Sequence, residues 1–131
     1  MVIDYGEKRV GIAISDPLRI TAQPKPFILN NASILESIKS VIQEYDVGEI
    51  YIGLPKHTKG GLTKKAEEVM VFTEKLEVYC EIKVEYIDER YSTVAATKQL
   101  DALGLNRKKQ RKLIDSQSAA FLLQGILDKE N

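Results

Sequence analysis

The amino-acid sequence predicts an α/β fold, in which a mixed five-stranded sheet is flanked by helices. The chain opens with two apolar runs separated by a short turn, a pattern typical of an antiparallel hairpin. Beyond a third strand, stretches with strand and helix periodicity alternate, which is typical of parallel strands joined by helical crossovers. The chain has 131 residues, of which 44% are hydrophobic, and we expect one domain over residues 1–131.

The first three strands are predicted from the hairpin pattern and the residues that follow it. The first strand runs out near Asp4, and the second covers residues 9–15 after a turn in which Gly6 gives a permissive backbone position. The third strand lies within residues 20–29. Its two prolines favour an edge position, because proline cannot donate to a sheet ladder.

Helix and strand patterns then alternate. Apolar residues at helical spacing predict a helix over residues 34–45, and Ser33 with Glu36 has capping-box spacing. An apolar strand follows over residues 47–54, and the polar, basic loop 56–61 comes at its carboxyl end, where open α/β sheets bind ligands.

The second half of the chain repeats this order. A helix is predicted over residues 62–76 and a strand over 83–87, with Asp88-Glu89-Arg90 at the tip of that strand. Ser92 or Thr93 caps a predicted helix that runs to Leu103. In the last helix one face is shared by Asp115, Ala119, Leu122 and Ile126.

Composition excludes some classes of protein. The chain has 19 Lys and Arg and 19 Asp and Glu, so it lacks the overall positive charge that many nucleic-acid binders show. The run 107–112 is the exception and is interpreted either as a solvated helix face or as a phosphate contact.

Cys80 is predicted to be a reduced, buried thiol, and His57 a surface loop residue. No leader or long apolar segment is evident, so a cytoplasmic protein is expected.

Four carboxylates are expected at one edge of the sheet, since each lies at a predicted strand end or helix start: Asp4, Asp88, Glu89 and Asp115. Like charges this close repel one another, and divalent cations would neutralise them. Oxygen ligands suit Mg²⁺ or Mn²⁺, and two such ions about 4 Å apart would support phosphodiester hydrolysis. The alternatives are ordinary turn chemistry for Asp4 and a favourable helix dipole for Asp115.

Four blocks of sequence resemble the YqgF/RuvX family of Holliday junction resolvases and pre-16S rRNA nucleases: residues 4–11 with 15–16, residues 53–55, residues 88–93, and residues 115–120 with 123–124. The resemblance implies a ribonuclease H-like fold. It also implies that Asp4 and Asp115 are catalytic metal ligands and that Asp88-Glu89 supplies the third.

The pair Asp88 and Glu89 is ambiguous, because neighbouring residues of a strand point to opposite faces. The greater reach of glutamate and the resemblance favour Glu89 as the catalytic ligand.

The resemblance further suggests Lys8, Arg9 and Arg90 as phosphate contacts. Loop 56–61 is more basic here than is usual in the family, which favours tighter phosphate binding. The full set of predicted nucleic-acid contacts is Lys8, Arg9, Lys56, Lys59, Arg90, Arg107, Lys108, Lys109 and Lys112. Family members usually have a few more residues before the first aspartate, so a very short first strand is expected here.

The leading interpretation is a metal-dependent endonuclease that acts on structured RNA and trims the 5′ end of pre-16S rRNA. A resolvase of four-way DNA junctions would use the same carboxylates, and a homodimer would suit its two-fold substrate. Carboxylates and metal act on the phosphate, whereas substrate choice depends on groove shape and 2′-hydroxyl contacts, so the sequence leaves both open. A nucleic-acid-binding or ribosome-assembly factor without turnover is the third interpretation.

Overall fold

The structure is a computed structural model that describes residues 1–55, 63–88 and 107–130, with the backbone alone for 107–115. Its strands form one five-stranded sheet in the order β3-β2-β1-β4-β5, and the strands are β1 (Val2–Tyr5), β2 (Arg9–Ser15), β3 (Ala22–Leu29), β4 (Ile50–Leu54) and β5 (Val84–Asp88). Its described helices are α1 (Ile34–Glu44), α2 (Lys64–Cys80) and α3 (Arg107–Glu130). No helix of this part of the chain is long and apolar enough to cross a membrane.

The sheet is mixed, as the sequence predicts. β2 is antiparallel to both β1 and β3, whereas β4 is parallel to both β1 and β5. β3 is an edge strand, because Pro24 and Pro26 have no N–H to donate to a further strand. The carboxyl ends of β1, β4 and β5 therefore meet at one edge of the sheet.

Side-chain alternation gives the sheet two buried faces. Ile3, Ile12 and Ile52 lie in register and pack with residues of α1 and α2 in one apolar cluster. Val2 and Ala13 are also in register and pack with α3 in the second cluster. Because the two clusters lie on opposite faces, the position of a residue in its strand decides which helices it faces.

Polar contacts of Ser116 and Gln124 help to fix helix α3 on its face of the sheet, besides its apolar contacts. The Ile12 N–H donates to the buried Ser116 Oγ at 3.2 Å, where the β2–β3 register shifts between Val10 and Ile12. Near the other end, Gln124 accepts from the Ala22 N–H at 2.9 Å and donates to the Ile20 carbonyl at 2.9 Å. These contacts fix both the position and the direction of α3 along β2.

Several predicted boundaries are wrong. β4 begins at Ile50 and not at Val47, because the Val47 N–H closes the end of α1 by donating to the Ile42 carbonyl at 2.9 Å. The last helix is predicted to follow the basic run 107–112, but α3 begins at Arg107, so the run lies within the helix, as the helix propensity of Lys, Arg and Gln favours. The predicted helix from residue 92 to 103 lies outside the described residues.

Two predicted side-chain roles are also wrong. Ser33 precedes α1 but makes no side-chain cap, because its backbone (φ −95°, ψ 8°) is not extended as capping requires. A side-chain cap is present at the next helix, α2, where the Thr63 hydroxyl accepts from the Ala66 N–H at 3.0 Å. Cys80 is half-buried at the end of α2 and not buried, and desolvation raises the pKa of its thiol.

The β2–β3 loop depends on one carboxylate. Asp16 Oδ1 accepts from the N–H groups of Ile20 at 2.7 Å and Thr21 at 2.8 Å. These bonds stabilise the charged form, so the backbone bond from Thr21 in particular lowers the pKa of Asp16 below its ordinary 3.8. In the same loop Arg19 has a left-handed backbone, with φ 59°.

We expect Asp16→Ala to lower the melting temperature at neutral pH, because two loop N–H groups lose their acceptor. A lowered folded-state pKa stabilises the protein above the ordinary value of 3.8, and this contribution is lost as the pH falls through the folded pKa. The difference between wild type and variant should therefore shrink in acid, as measured by thermal melts from pH 7 to pH 2. Asp16→Asn, which keeps an acceptor but does not titrate, is the control. A difference that does not change with pH would contradict this role.

We expect Ser116→Ala to cost about 1–3 kcal/mol of unfolding free energy, because the buried Ile12 N–H loses its acceptor. Urea unfolding measures this cost. Thr73→Val is the matched control: the buried Thr73 hydroxyl donates to the Val69 carbonyl at 2.8 Å, but that carbonyl keeps its own helical partner. Equal costs in the two variants would show that the Ser116 bond is not special.

Candidate active site at the carboxyl edge of the sheet

Asp4 lies near the carboxyl end of β1, the central strand of the sheet. It is in register with Gly11 of β2. On its other side the β1–β4 register ends with the pair Ile3–Ile52, and its continuation by one residue sets Gly53 of β4 beside Asp4. Neighbours in register point to the same face, and neither glycine contributes a side chain there. The half-buried carboxylate of Asp4 thus stands in a row whose two flanking residues have no side chain on the α3 face.

Helix α3 brings its own aspartate toward this row. The Ser116 hydroxyl is bonded to Ile12, which directly follows Gly11, the partner of Asp4. Asp115 is the residue before Ser116 in the same helix. The turn of α3 that carries Asp115 is therefore held over β2, next to the strand position of Asp4. Asp4 and Asp115, which are far apart in sequence, are brought into one neighbourhood by this contact.

Asp88 ends β5 at the same edge of the sheet but on its other face. Tyr86 is in register with Ile52, and Ile52 with Ile3, so all three share the face of α1 and α2. Asp88 alternates onto that same face, whereas Val2 and Asp4 face α3. The register therefore does not bring the exposed Asp88 side chain to Asp4.

The turn that follows Asp4 is held by Asn30, the residue directly after β3. The Asn30 side chain donates to the Gly6 carbonyl at 2.9 Å, and the Asn30 N–H donates to the Lys8 carbonyl at 2.9 Å. Gly6 is required by close approach, since a Cβ at that position would collide with the Arg9 carbonyl oxygen. Asn30 thus fixes the turn that carries Lys8 and Arg9, both of which are exposed.

Asn30 and Ser116 support the candidate site, and sequence reasoning missed both of these contacts. Each acts through a partner that is remote in sequence, 24 residues away for Asn30 and 104 for Ser116. Ser116 does lie inside the block that resembles the family, directly after Asp115. That adjacency was the one available signal.

The structure does not describe the side chains of the other predicted site residues. Lys56, Lys59, Glu89 and Arg90 lie outside the described ranges, and Arg107, Lys108, Lys109, Lys112 and Asp115 are described as helix backbone alone. Within those ranges, no group of three or more His, Cys, Asp or Glu could hold a metal ion.

A cavity of about 690 Å³ opens at the opposite end of the sheet, beside Met1, Glu49 and Tyr51 at the amino ends of β1 and β4. Its position differs from that of the carboxylates. We place the candidate chemistry at the carboxyl edge, because ligands of open α/β sheets bind outside the carboxyl ends of the strands. Carboxylate oxygens are also the ligands that suit a hard divalent cation.

Comparison with known proteins gives a consistent result. The family model described as RuvX, Holliday junction resolvase, matches residues 1–129. A protein of Halothermothrix orenii is 40% identical over 133 residues, which is 100% of this chain and 95% of that protein. One of Clostridium botulinum strain Hall is 39% identical over 96% of this chain and 93% of its own length. Both bear the name "Putative pre-16S rRNA nuclease".

Solved structures resemble the fold. A Thermus thermophilus RuvC in complex with a Holliday junction substrate has a TM-score of 0.59 and 13% identity, over 98% of this chain and 94% of that chain. A second T. thermophilus RuvC structure has a TM-score of 0.56, also at 13% identity, over 98% of this chain and 95% of that one. The predicted ribonuclease H-like fold is therefore confirmed. With a family match over residues 1–129 and relatives 39–40% identical over nearly the whole chain, this protein belongs to the RuvX family.

Proposed function

We propose that this chain is a divalent-metal-dependent endonuclease that hydrolyses phosphodiester bonds in structured nucleic acid and trims the 5′ end of pre-16S rRNA in the cytoplasm. The observation that carries the proposal is the arrangement at the end of β1, where Asp4 stands between Gly11 and Gly53 and the turn of Asp115 is anchored by Ser116. The family match and the names of the relatives support a nuclease.

The donor set fits Mg²⁺ or Mn²⁺, for which Asp4, Glu89 and Asp115 would be the ligands. Such ions, when bound, polarise the scissile phosphate and lower the pKa of water. The residues of this chain orient the substrate around that centre. Lys8 and Arg9 lie on the turn held by Asn30, and their exposed positive charges attract the backbone phosphates on either side of the scissile bond.

The basic residues of α3 and of loop 56–61 complete the proposed substrate surface. Arg107, Lys108, Lys109 and Lys112 lie in the first turns of α3, upstream of Asp115 on the same helix. Since helix α3 is anchored at Ser116, its first turns extend from β2 toward the end of the sheet that carries Asp4. Positive charge there would neutralise phosphates without reading sequence.

Resolution of four-way DNA junctions is the second candidate function. It is favoured by the description of the matching family as a Holliday junction resolvase. For this activity we propose that two copies act together as a homodimer, because the junction has two-fold symmetry and two strands must be cut.

The experiment that tests the function is a cleavage assay on a precursor rRNA 5′ segment and a four-way DNA junction, run side by side with Mg²⁺, with Mn²⁺ and with EDTA. Cleavage of the RNA with either ion, and none with EDTA, is the expected result. Preferential cleavage of the junction would establish the second candidate. Absence of cleavage of both substrates under all conditions would overturn the assignment as a nuclease.

We expect Asp4→Asn to keep the fold but to lose cleavage by a factor of about 100 or more, because a charge that stabilises the transition state is removed without a change of shape. Cleavage kinetics and thermal melts measure the two effects. Asp46→Asn is the control: this exposed aspartate follows the end of α1 with φ 51°, a conformation that asparagine tolerates. Wild-type turnover of Asp4→Asn would contradict the metal-site proposal.

We expect Glu89→Gln to lower the rate of metal-dependent cleavage by a factor of about 100 or more. Asp88→Asn should lower it far less. The register supports this order, because Asp88 alternates onto the α1 and α2 face while Asp4 faces α3. Steady-state rates and melts of both variants, with Mg²⁺ at saturation, decide between them. The reverse order of activities would identify Asp88 as the third ligand.

A further inference from the structure

Arg9 and Phe27 form an interacting pair beside the candidate site. The guanidinium carbon of Arg9 lies 5.2 Å from the centroid of the Phe27 ring, within the range of a cation–π interaction. Arg9 is exposed and Phe27 is half-buried. The ring thus has a fixed position in the edge of the fold, and the arginine lies on it.

The pair lies on the same face as Asp4. Arg9 precedes Gly11 by two residues in β2, so the two share a face, and Gly11 is in register with Asp4. Two residues of strand span about 7 Å, and neighbouring strands are about 4.8 Å apart. The Cα atoms of Arg9 and Asp4 are therefore separated by about 8 Å, and a phosphodiester bound at Asp4 is within reach of the arginine side chain.

Phe27 lies where the β2–β3 ladder becomes irregular. Val10 pairs with Ile28 and Ile12 pairs with Lys25, so Pro26 and Phe27 together stand opposite the single residue Gly11. An extra residue of this kind forms a bulge, and bulges redirect side chains near functional sites. Here the bulged residue lies opposite the same glycine that pairs with Asp4.

An aromatic partner suits an arginine that must bind phosphate. A carboxylate would hold the guanidinium through its N–H donors and would compete with an anionic substrate. The face of a ring attracts the cation while the donors at the edge of the guanidinium remain available for phosphate oxygens. The ring also restricts a side chain that would otherwise lose rotamer freedom when substrate binds.

We propose that Phe27 is a positioning residue, which holds Arg9 in place as a phosphate contact next to Asp4. The inference rests on the proposed function and deepens it, because it assigns substrate positioning to the outer strand β3. The substrate contacted is the phosphate backbone of a nucleic acid, whether RNA or DNA.

The chain offers a matched control on the opposite face. Lys25 lies 4.9 Å from the centroid of the Tyr45 ring, and Lys25 is in register with Ile12, which packs with α1 and α2. This second cation–π pair has a similar distance to the ring centroid and also involves strand β3, but it lies on the face away from Asp4. Tyr45→Leu therefore removes an equivalent interaction without touching the proposed substrate surface.

The test is binding of a labelled precursor rRNA hairpin and a labelled four-way DNA junction by fluorescence anisotropy, in EDTA so that neither is cleaved, across a series of salt concentrations. Arg9→Gln should weaken binding and reduce the salt slope by about one unit. Phe27→Leu should raise Kd roughly two- to fivefold. Phe27→Tyr should keep Kd at the wild-type value, since tyrosine keeps the ring. In the Arg9→Gln background Phe27→Leu should have no further effect, and Tyr45→Leu should leave Kd unchanged.

Cleavage kinetics provide the second readout. With metal present, Phe27→Leu should raise KM and leave kcat within about twofold of wild type, as expected for a lost binding contact. An effect of Phe27→Leu that is equally large in the Arg9→Gln background, or equal to that of Tyr45→Leu, would overturn the inference and leave Phe27 a packing residue. If Arg9→Gln binds the two substrates with the wild-type Kd, the inference is overturned too. The nuclease assignment is not affected by that result as long as the wild type cleaves. That assignment fails only if the wild type cleaves neither substrate.

Discussion

The antiparallel pairing of β1 with β2 is the constraint on which the candidate site depends. It sets Asp4 opposite Gly11, and the parallel pairing of β1 with β4 sets Gly53 on the other side. A shift of either register by one residue would turn Asp4 to the face of α1 and α2 and bring an isoleucine to the face of α3. The buried apolar clusters on both faces resist such a shift, so the packing that stabilises the sheet also fixes the carboxylate.

β3 contributes more to the site than its place at the edge of the sheet indicates. Its carboxyl end continues into Asn30, which holds the turn of Lys8 and Arg9, and Phe27, beside its bulge, lies against Arg9. The same irregularity lies beside the Ile12 amide that bonds Ser116. A single interruption of the β2–β3 ladder is thus adjacent to both the anchor of α3 and the proposed phosphate contact.

The fold could be predicted largely from the sequence, because its evidence is local. Alternating apolar residues gave the hairpin of β1 and β2, and the prolines of β3 gave its edge position. Boundaries were predicted less well where a backbone conformation decided the outcome. Ser33 has the spacing of a capping residue but not the extended backbone, and Val47 is engaged in closing α1.

The candidate site was predictable only in part, because its supporting contacts join distant residues. The position of Asp4 at the end of a strand followed from the hairpin pattern, whereas the contacts of Ser116 and Asn30 have no local signature. The sequence predicts that Asp88 and Glu89 point to opposite faces of the sheet, but it does not tell which of the two shares the face of Asp4. Only the register of β5 on β4, and of β4 on β1, shows which face Asp88 shares.

Among the residues that the structure describes, the contacts at the two ends of the sheet differ in kind, and the difference has a physical reason. At the end away from Asp4, Arg19 pairs with Glu130 at 2.9 Å and with Glu49 at 3.6 Å. At the candidate site the described positioning contacts come from neutral groups, namely the Ser116 hydroxyl, the Asn30 amide and the Phe27 ring. Neutral groups fix geometry without adding a charge that competes for metal or phosphate. Uncharged positioning side chains therefore suit a site that is proposed to bind cations and polyanions together.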